Sequence, residues 1–174
     1  MSEFNRTIWL FGLSGAGKTC IANALRWLMI QYGRMPILLD GDTMRRGMCS
    51  DLGFSETDRR ENVRRVAHMA NHLQMSAVGV VPIVSLITPI DDHRKFVRRC
   101  IKDVFMVHVA TPLDVCEQRD PKGLYSLARR GEIKNFTGVH ATFENPSNAD
   151  FTVSTQNQPP EQCARSILSA WSHC

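Results

Sequence analysis

Gly12-Leu13-Ser14-Gly15-Ala16-Gly17-Lys18-Thr19 is a complete phosphate-binding P-loop. Its glycines let successive backbone N–H groups turn inward around a phosphate, and the helix that opens at its end adds a positive dipole. In this motif the lysine reaches the β- and γ-phosphates and the hydroxyl ligates Mg²⁺. Lys18 and Thr19 therefore predict a nucleoside triphosphate site with Mg²⁺. A second candidate is Asp40-Gly41-Asp42, two carboxylates after an apolar run. Residues i and i+2 of an extended segment point the same way, which predicts both acids on one side of the ligand. One would accept a proton from an attacking hydroxyl, or hold Mg²⁺ through water. A third candidate comes from the segment 57–77. At about 100° per residue, Val63, Val66, Ala70, Leu73 and Ala77 share one stripe, with Arg59 and Asn62 at its N-terminal end. An arginine aligned with an apolar face calls for an anion or a carboxylate, so Arg59 is a candidate ligand for an anionic substrate. Arg60, Arg64 and Arg65 project away from the stripe. His68 and His72 lie opposite it with no third ligand in view, and read as a solvated face rather than a metal site.

These residues need strands and helices to hold them. Thr7–Phe11 reads as a short apolar strand before the P-loop, and Cys20–Tyr32 as the helix after it. Met35–Asp40, Val78–Leu86, Val104–Ala110 and Phe151–Ser154 read as four more strands. Helical patterns fall near 57–77, 92–102, 112–119 and 160–171. Near-continuous apolar strands separated by helices predict an α/β fold, a parallel five-stranded sheet covered on both faces. In such sheets ligands bind at the carboxyl ends of the strands, where the P-loop and Asp40–Asp42 both fall. The segment 131–149 is polar and aperiodic, and a loop that long is expected to be an active-site lid.

The length of 174 residues predicts one domain, 1–174. A net charge of +4, from 21 basic and 17 acidic residues, suits a small anionic substrate. The arginine doublets are dispersed instead of forming the concentrated basic run expected for nucleic acid. Six cysteines without C-x-x-C or zinc spacing predict reduced thiols and a cytoplasmic protein. No leader is expected at Met1-Ser2-Glu3-Phe4, and no run approaches the roughly 20 apolar residues of a membrane helix.

Longer blocks point to a family. Leu39-Asp40-Gly41-Asp42-Thr43-Met44-Arg45-Arg46-Gly47, Asp51-Leu52-Gly53-Phe54-Ser55 and Asp58-Arg59-Arg60-Glu61-Asn62-Val63-Arg64-Arg65 closely resemble adenylylsulfate kinase. So do the stretches Cys116–Tyr125 and Gly131–Gly138. The resemblance runs from Thr7 to about Pro146 and implies a P-loop kinase with a mobile lid over roughly 119–146. The implied reaction is transfer of the ATP γ-phosphoryl to the ribose 3′-hydroxyl of adenosine 5′-phosphosulfate. By that resemblance Asp42 engages the 3′-hydroxyl, and Arg45, Arg59 and Asn62 hold the phosphosulfate and ribose. Phe54 and Phe136 sandwich the adenine, with Ile87 and Thr88 also on the substrate side. Arg119 packs against the ATP adenine, and Lys122 belongs to the lid. A homodimer is implied as well.

The chain departs from the family pattern at Leu86, Ile90, Asp91, Ser126 and Leu127, and also at Thr43 and Val139-His140. Asp91 stands where the family has an arginine, and Ser126-Leu127 where it has two lysines. These changes are expected to remove positive charge beside the cleft. Two alternatives follow: a related kinase acting on another nucleotide-linked small anion, such as a nucleoside diphosphate analogue for surface polysaccharide, or a weakly catalytic P-loop binding module. The absence of an Asn-Lys-x-Asp guanine signature speaks against a GTPase.

Overall fold

The computed structural model describes residues 5–173; Met1–Phe4, the stretch expected to carry no leader, and Cys174 lie outside them. The strands are β1 (Thr7–Phe11), β2 (Met35–Asp40), β3 (Val80–Leu86), β4 (Val104–Val109) and β5 (Phe151–Val153). The helices are α1 (Lys18–Gln31), α2 (Gly41–Arg46), α3 (Glu56–Ser76), α4 (Asp91–Cys100), α5 (Leu113–Arg119), α6 (Leu124–Arg129) and α7 (Pro160–His173). All strand pairs are parallel, in the order β2-β3-β1-β4-β5. Parallel neighbours cannot be joined by tight turns, so every connection crosses a face of the sheet, and helices cover both.

The period-two alternation of β1 divides the core. Ile8 and Leu10 pack with Ile21 and Leu25 of α1 and with Cys163, Ala164 and Ile167 of α7. Trp9 and Phe11 face the other way, onto Val63, Val66 and Ala70 of α3 and Val97 of α4. Because β1 lies between β3 and β4, the loop leaving its carboxyl end opens into the crevice where the strand order reverses. Among the described residues no helix is long and apolar enough to cross a membrane.

Several local expectations are corrected. Asp40-Gly41-Asp42 is not extended: Asp40 ends β2 and caps α2, its Oδ1 accepting the Asp42 amide at 3.1 Å. An aspartate before a glycine competes for local backbone donors, and here that starts a helix. The buried face of α3 comprises Asn62, Val63, Val66, Ala67, Ala70 and Gln74, while Ala77 is an exposed cap residue. β3 begins at Val80, since Val78 is 86% exposed. Helix α6 interrupts the lid segment. Beyond it, 131–149 is irregular apart from one bridge between Thr137 and Ala141.

Candidate active site

The P-loop turns out of β1 with Gly12, Gly15 and Gly17 at φ 154°, 75° and 92°. All three glycines are also sterically required, Gly15 by the Cys116 carbonyl oxygen, which a Cβ would meet at 2.9 Å. A Cβ on Gly12 would stand 2.4 Å from the Val109 carbonyl oxygen, and one on Gly17 2.8 Å from the Thr155 methyl. Lys18 is buried, and its Nζ donates to the Leu13 carbonyl at 2.7 Å. Burial pulls its pKa down to about 8, so the ammonium is charged but poorly solvated. The Thr19 hydroxyl donates to Asp40 Oδ2 at 2.8 Å and lies 3.4 Å from Ser85 Oγ. Hydroxyl and carboxylate oxygens are a hard donor set that fits Mg²⁺, which takes one or two carboxylates and fills its shell with waters and phosphates. Among the described residues no group of three or more His, Cys, Asp or Glu gathers as a fuller metal cage.

One cavity of about 1000 Å³ runs from the P-loop to α3 and α4. Ser14, Gly15, Gly17, Lys18 and Thr19 line one half, and Arg119 with the segment 155–160 closes its end. Gly12, Leu13 and Ala16 support this half from behind: Leu13 anchors Lys18, and the Ala16 carbonyl accepts from the Thr111 and Thr155 hydroxyls at 3.0 Å each. Asp42, Arg45, Phe54, Arg59, Asn62, Ile87, Thr88, Lys122 and Phe136 line the other half. Every residue expected to touch substrate thus meets the same space, and the Asp42 carboxylate is near enough to favour the charge on both Lys18 and Arg45.

The charged side chains in that half are already engaged, while the buried Asn62 Oδ1 has no partner. The Asp42 carboxylate pairs with Lys122 from the lid. Arg45 donates to the Leu52 and Gly53 carbonyls at 3.2 and 2.9 Å, with its guanidinium 4.4 Å from the Phe54 ring centroid. Arg59 donates to the Phe54 carbonyl at 3.0 Å, to Thr137 Oγ1 at 2.7 Å and to the Asn135 carbonyl. Burial lowers the pKa of both arginines, and each still carries its charge at neutral pH. The Thr88 hydroxyl accepts from Trp9 Nε1 at 3.0 Å, so its visible work is inside the wall. The two aromatics differ. Phe54 is 58% exposed, but Phe136 is 9% exposed and packs edge-on against Tyr125 at 5.0 Å between centroids. Phe136 therefore belongs to the core as well as to the cavity wall.

The departures expected to strip charge from the cleft do so less than sequence suggests. Asp91 sits in the first turn of α4, where its carboxylate meets Lys95 at 2.9 Å and Arg94 at 3.6 Å. Ser126 lies in the first turn of α6, its amide and hydroxyl both donating to Asp120 Oδ2. Ile90, Asp91, Ser126 and Leu127 do not line the cavity; of the five main departures only Leu86 does.

Sequence reasoning missed Thr111, Thr155, Tyr125 and His93. Tyr125 is 1% exposed and donates its hydroxyl to the Ser14 carbonyl at 3.0 Å, so α6 buttresses the P-loop. His93, also buried, lines the cavity from α4 with its Nδ1 unpartnered. Tyr125 stands inside a quoted block and was within reach. Thr111 and Thr155 carry no spacing signal, because their partners lie far away in the chain, and His93 stands in no motif at all.

Comparison with known proteins agrees with this geometry. The family model "Adenylylsulphate kinase" matches residues 5–154. An adenylyl-sulfate kinase of Clostridium kluyveri is 46% identical over 162 residues, covering 92% of this chain and 80% of that protein. One from Shewanella sp. (strain ANA-3) is 49% identical over 163 residues, covering 92% and 78%. The structure of the Mycobacterium tuberculosis APS kinase CysC in complex with AMPPNP and APS superposes with a TM-score of 0.91. It is 38% identical and covers 96% of this chain and 97% of that one. With P-loop, acid and arginine–aromatic wall around one cavity, the chain belongs to the adenylylsulphate kinase family.

Proposed function

We propose that this chain is an adenylylsulfate kinase, transferring the γ-phosphoryl of MgATP to the ribose 3′-hydroxyl of adenosine 5′-phosphosulfate. The observation that carries the reading is the position of Asp42, between a phosphate cradle and an arginine–aromatic wall in one continuous cavity. ATP lies along the P-loop half, with its base against Arg119. The acceptor lies in the other half, with Phe54 and Phe136 about its adenine and Arg45, Arg59 and Asn62 along its phosphosulfate and ribose. Thr19, with Asp40 nearby, would hold Mg²⁺, which would supply charge neutralisation on the transferring phosphoryl group.

Phosphoryl transfer asks for alignment and charge stabilisation more than for covalent help. Lys18 gives up the Leu13 carbonyl for phosphate oxygens. Lys122 exchanges the Asp42 carboxylate for the triphosphate, which frees Asp42 to accept the 3′-hydroxyl proton as that oxygen attacks. The lid segment 119–146 excludes water and so limits ATP hydrolysis. The alternative nucleotide-linked acceptors rested on the charge departures, and these lie mostly outside the cavity. The functional unit is read as a cytoplasmic homodimer of single-domain chains, its free thiols suiting a reducing compartment. Light scattering at twice the monomer mass tests the dimer.

The deciding experiment is ADP release from the purified chain with MgATP, with and without adenosine 5′-phosphosulfate, and mass analysis of the product. Strong stimulation with a 3′-phosphorylated product is expected. ATP binding without stimulation would overturn the acceptor assignment.

A further inference from the structure

Thr155 lies one residue past the family model's match, which ends at residue 154, and two past the end of β5. It is 7% exposed, yet it joins three separate parts of the donor half. Its hydroxyl donates to the Ala16 carbonyl inside the P-loop at 3.0 Å. The same oxygen accepts from Arg119 Nη1 at 2.6 Å, while the Thr155 carbonyl accepts from Arg119 Nη2 at 2.6 Å. Its amide donates to Thr111 Oγ1 at 3.1 Å, and Thr111 in turn donates to the Ala16 carbonyl at 3.0 Å. Its methyl occupies the space that Gly17 leaves by lacking a Cβ.

Proton accounting shows why the residue type matters. A guanidinium can only donate and a backbone carbonyl can only accept, so the atom joining them must do both. A hydroxyl does this, and a methyl of the same shape does neither. Threonine alone also combines that hydroxyl with the methyl against Gly17. Residues 156–160, which line the same end of the cavity, leave directly from this junction.

We propose that Thr155 is a positioning residue for the donor nucleotide, holding the phosphate loop and the Arg119 wall in fixed register. The proposal rests on the reading of Arg119 as the wall for the ATP base. It does not depend on the identity of the acceptor.

The test is Thr155→Val in the full chain, with Thr155→Ser as the conservative variant and Arg119→Ala in parallel. Titration calorimetry with Mg²⁺ and a non-hydrolysable ATP analogue reads donor affinity directly, so it stands whether or not adenosine 5′-phosphosulfate is the acceptor. Thr155→Val is expected to weaken the analogue about tenfold, the scale of one lost charge-assisted hydrogen bond. The KM for ATP should rise in step, the acceptor KM should stay unchanged, and Thr155→Ser should recover most of the affinity. A lowered melting temperature with unchanged analogue affinity would make Thr155 merely structural and overturn the proposal. Equal losses in the Val and Ser variants would overturn the role of the hydroxyl. Wild-type affinity in Arg119→Ala would overturn both the base-wall reading and the coupling to it. If Thr155→Val does not fold, Thr155→Ala, which adds no bulk against Gly17, takes its place in the same comparison.

Discussion

At the residue scale the proposed chemistry falls to Asp42 and Lys18, and each makes a measurable prediction. Asp42 pairs with Lys122, whereas the P-loop lysine is hydrogen-bonded to the Leu13 carbonyl. Asp42→Asn should therefore reduce phosphoryl transfer by about 10² to 10⁴, the usual worth of a positioned base, with ATP affinity nearly unchanged. Turnover at the wild-type rate would remove Asp42 from the mechanism. Lys18 titrates near 8 because burial disfavours its charge. Bound phosphate favours the charged form and raises that pKa, so binding above pH 8 takes up a proton. Affinity for a non-hydrolysable ATP analogue should be flat below about pH 7.5 and fall steadily from pH 8 to 9.5. Titration calorimetry across that range checks the sign, and affinity that rises with pH would contradict it.

At the scale of elements, the segment proposed as a lid is more than a loop. Helix α6 inserts Tyr125 against the P-loop, and Phe136 packs on Tyr125, so nucleotide and acceptor walls share one aromatic contact. Phe136→Ala should thus have two effects where stacking alone predicts one. The acceptor KM should rise with little change in that for ATP, and stability should fall by about 3 to 5 kcal/mol for truncating a buried phenylalanine. Denaturant unfolding beside steady-state kinetics separates them. An unchanged acceptor KM would sink the stacking role, and unchanged stability would sink the core role. Sequence periodicity foretold neither α6 nor the packing of Phe136. Six helical residues are less than two turns, too few for a pattern to emerge.

Across the whole molecule, Arg94 ties the sheet to the end of the lid. It is fully buried and donates to the carbonyls of Thr88, Pro89 and Glu144, each at 3.1 Å, with Phe11 and Phe143 rings on either side. Arg94→Leu leaves those acceptors short of a donor and should cost about 3 kcal/mol. For a chain of this size that lowers the melting temperature by about 10 °C. Thermal unfolding followed by circular dichroism checks this, and a loss under 2 °C would mean the carbonyls find other partners.

What the sequence determined by itself was local or repetitive. The P-loop is contiguous, the apolar strands alternate with amphipathic helices, and the blocks around Asp42, Arg59 and Phe136 are long enough to name a family. From these the fold class and the parallel five-stranded sheet followed, with a list of residues expected around the site. Tertiary structure alone decided which side chains point into that cavity and what they hold there. Asp91 and Ser126 looked like losses of charge beside the substrate, yet each turns to a partner within six residues, Lys95 and Asp120. Thr155 looked like one polar residue in a loop, but its partners are 36, 44 and 139 residues away. The physical reason is range: hydrogen bonds and close packing act over a few ångströms in space, and only the folded chain sets which distant residues come that near.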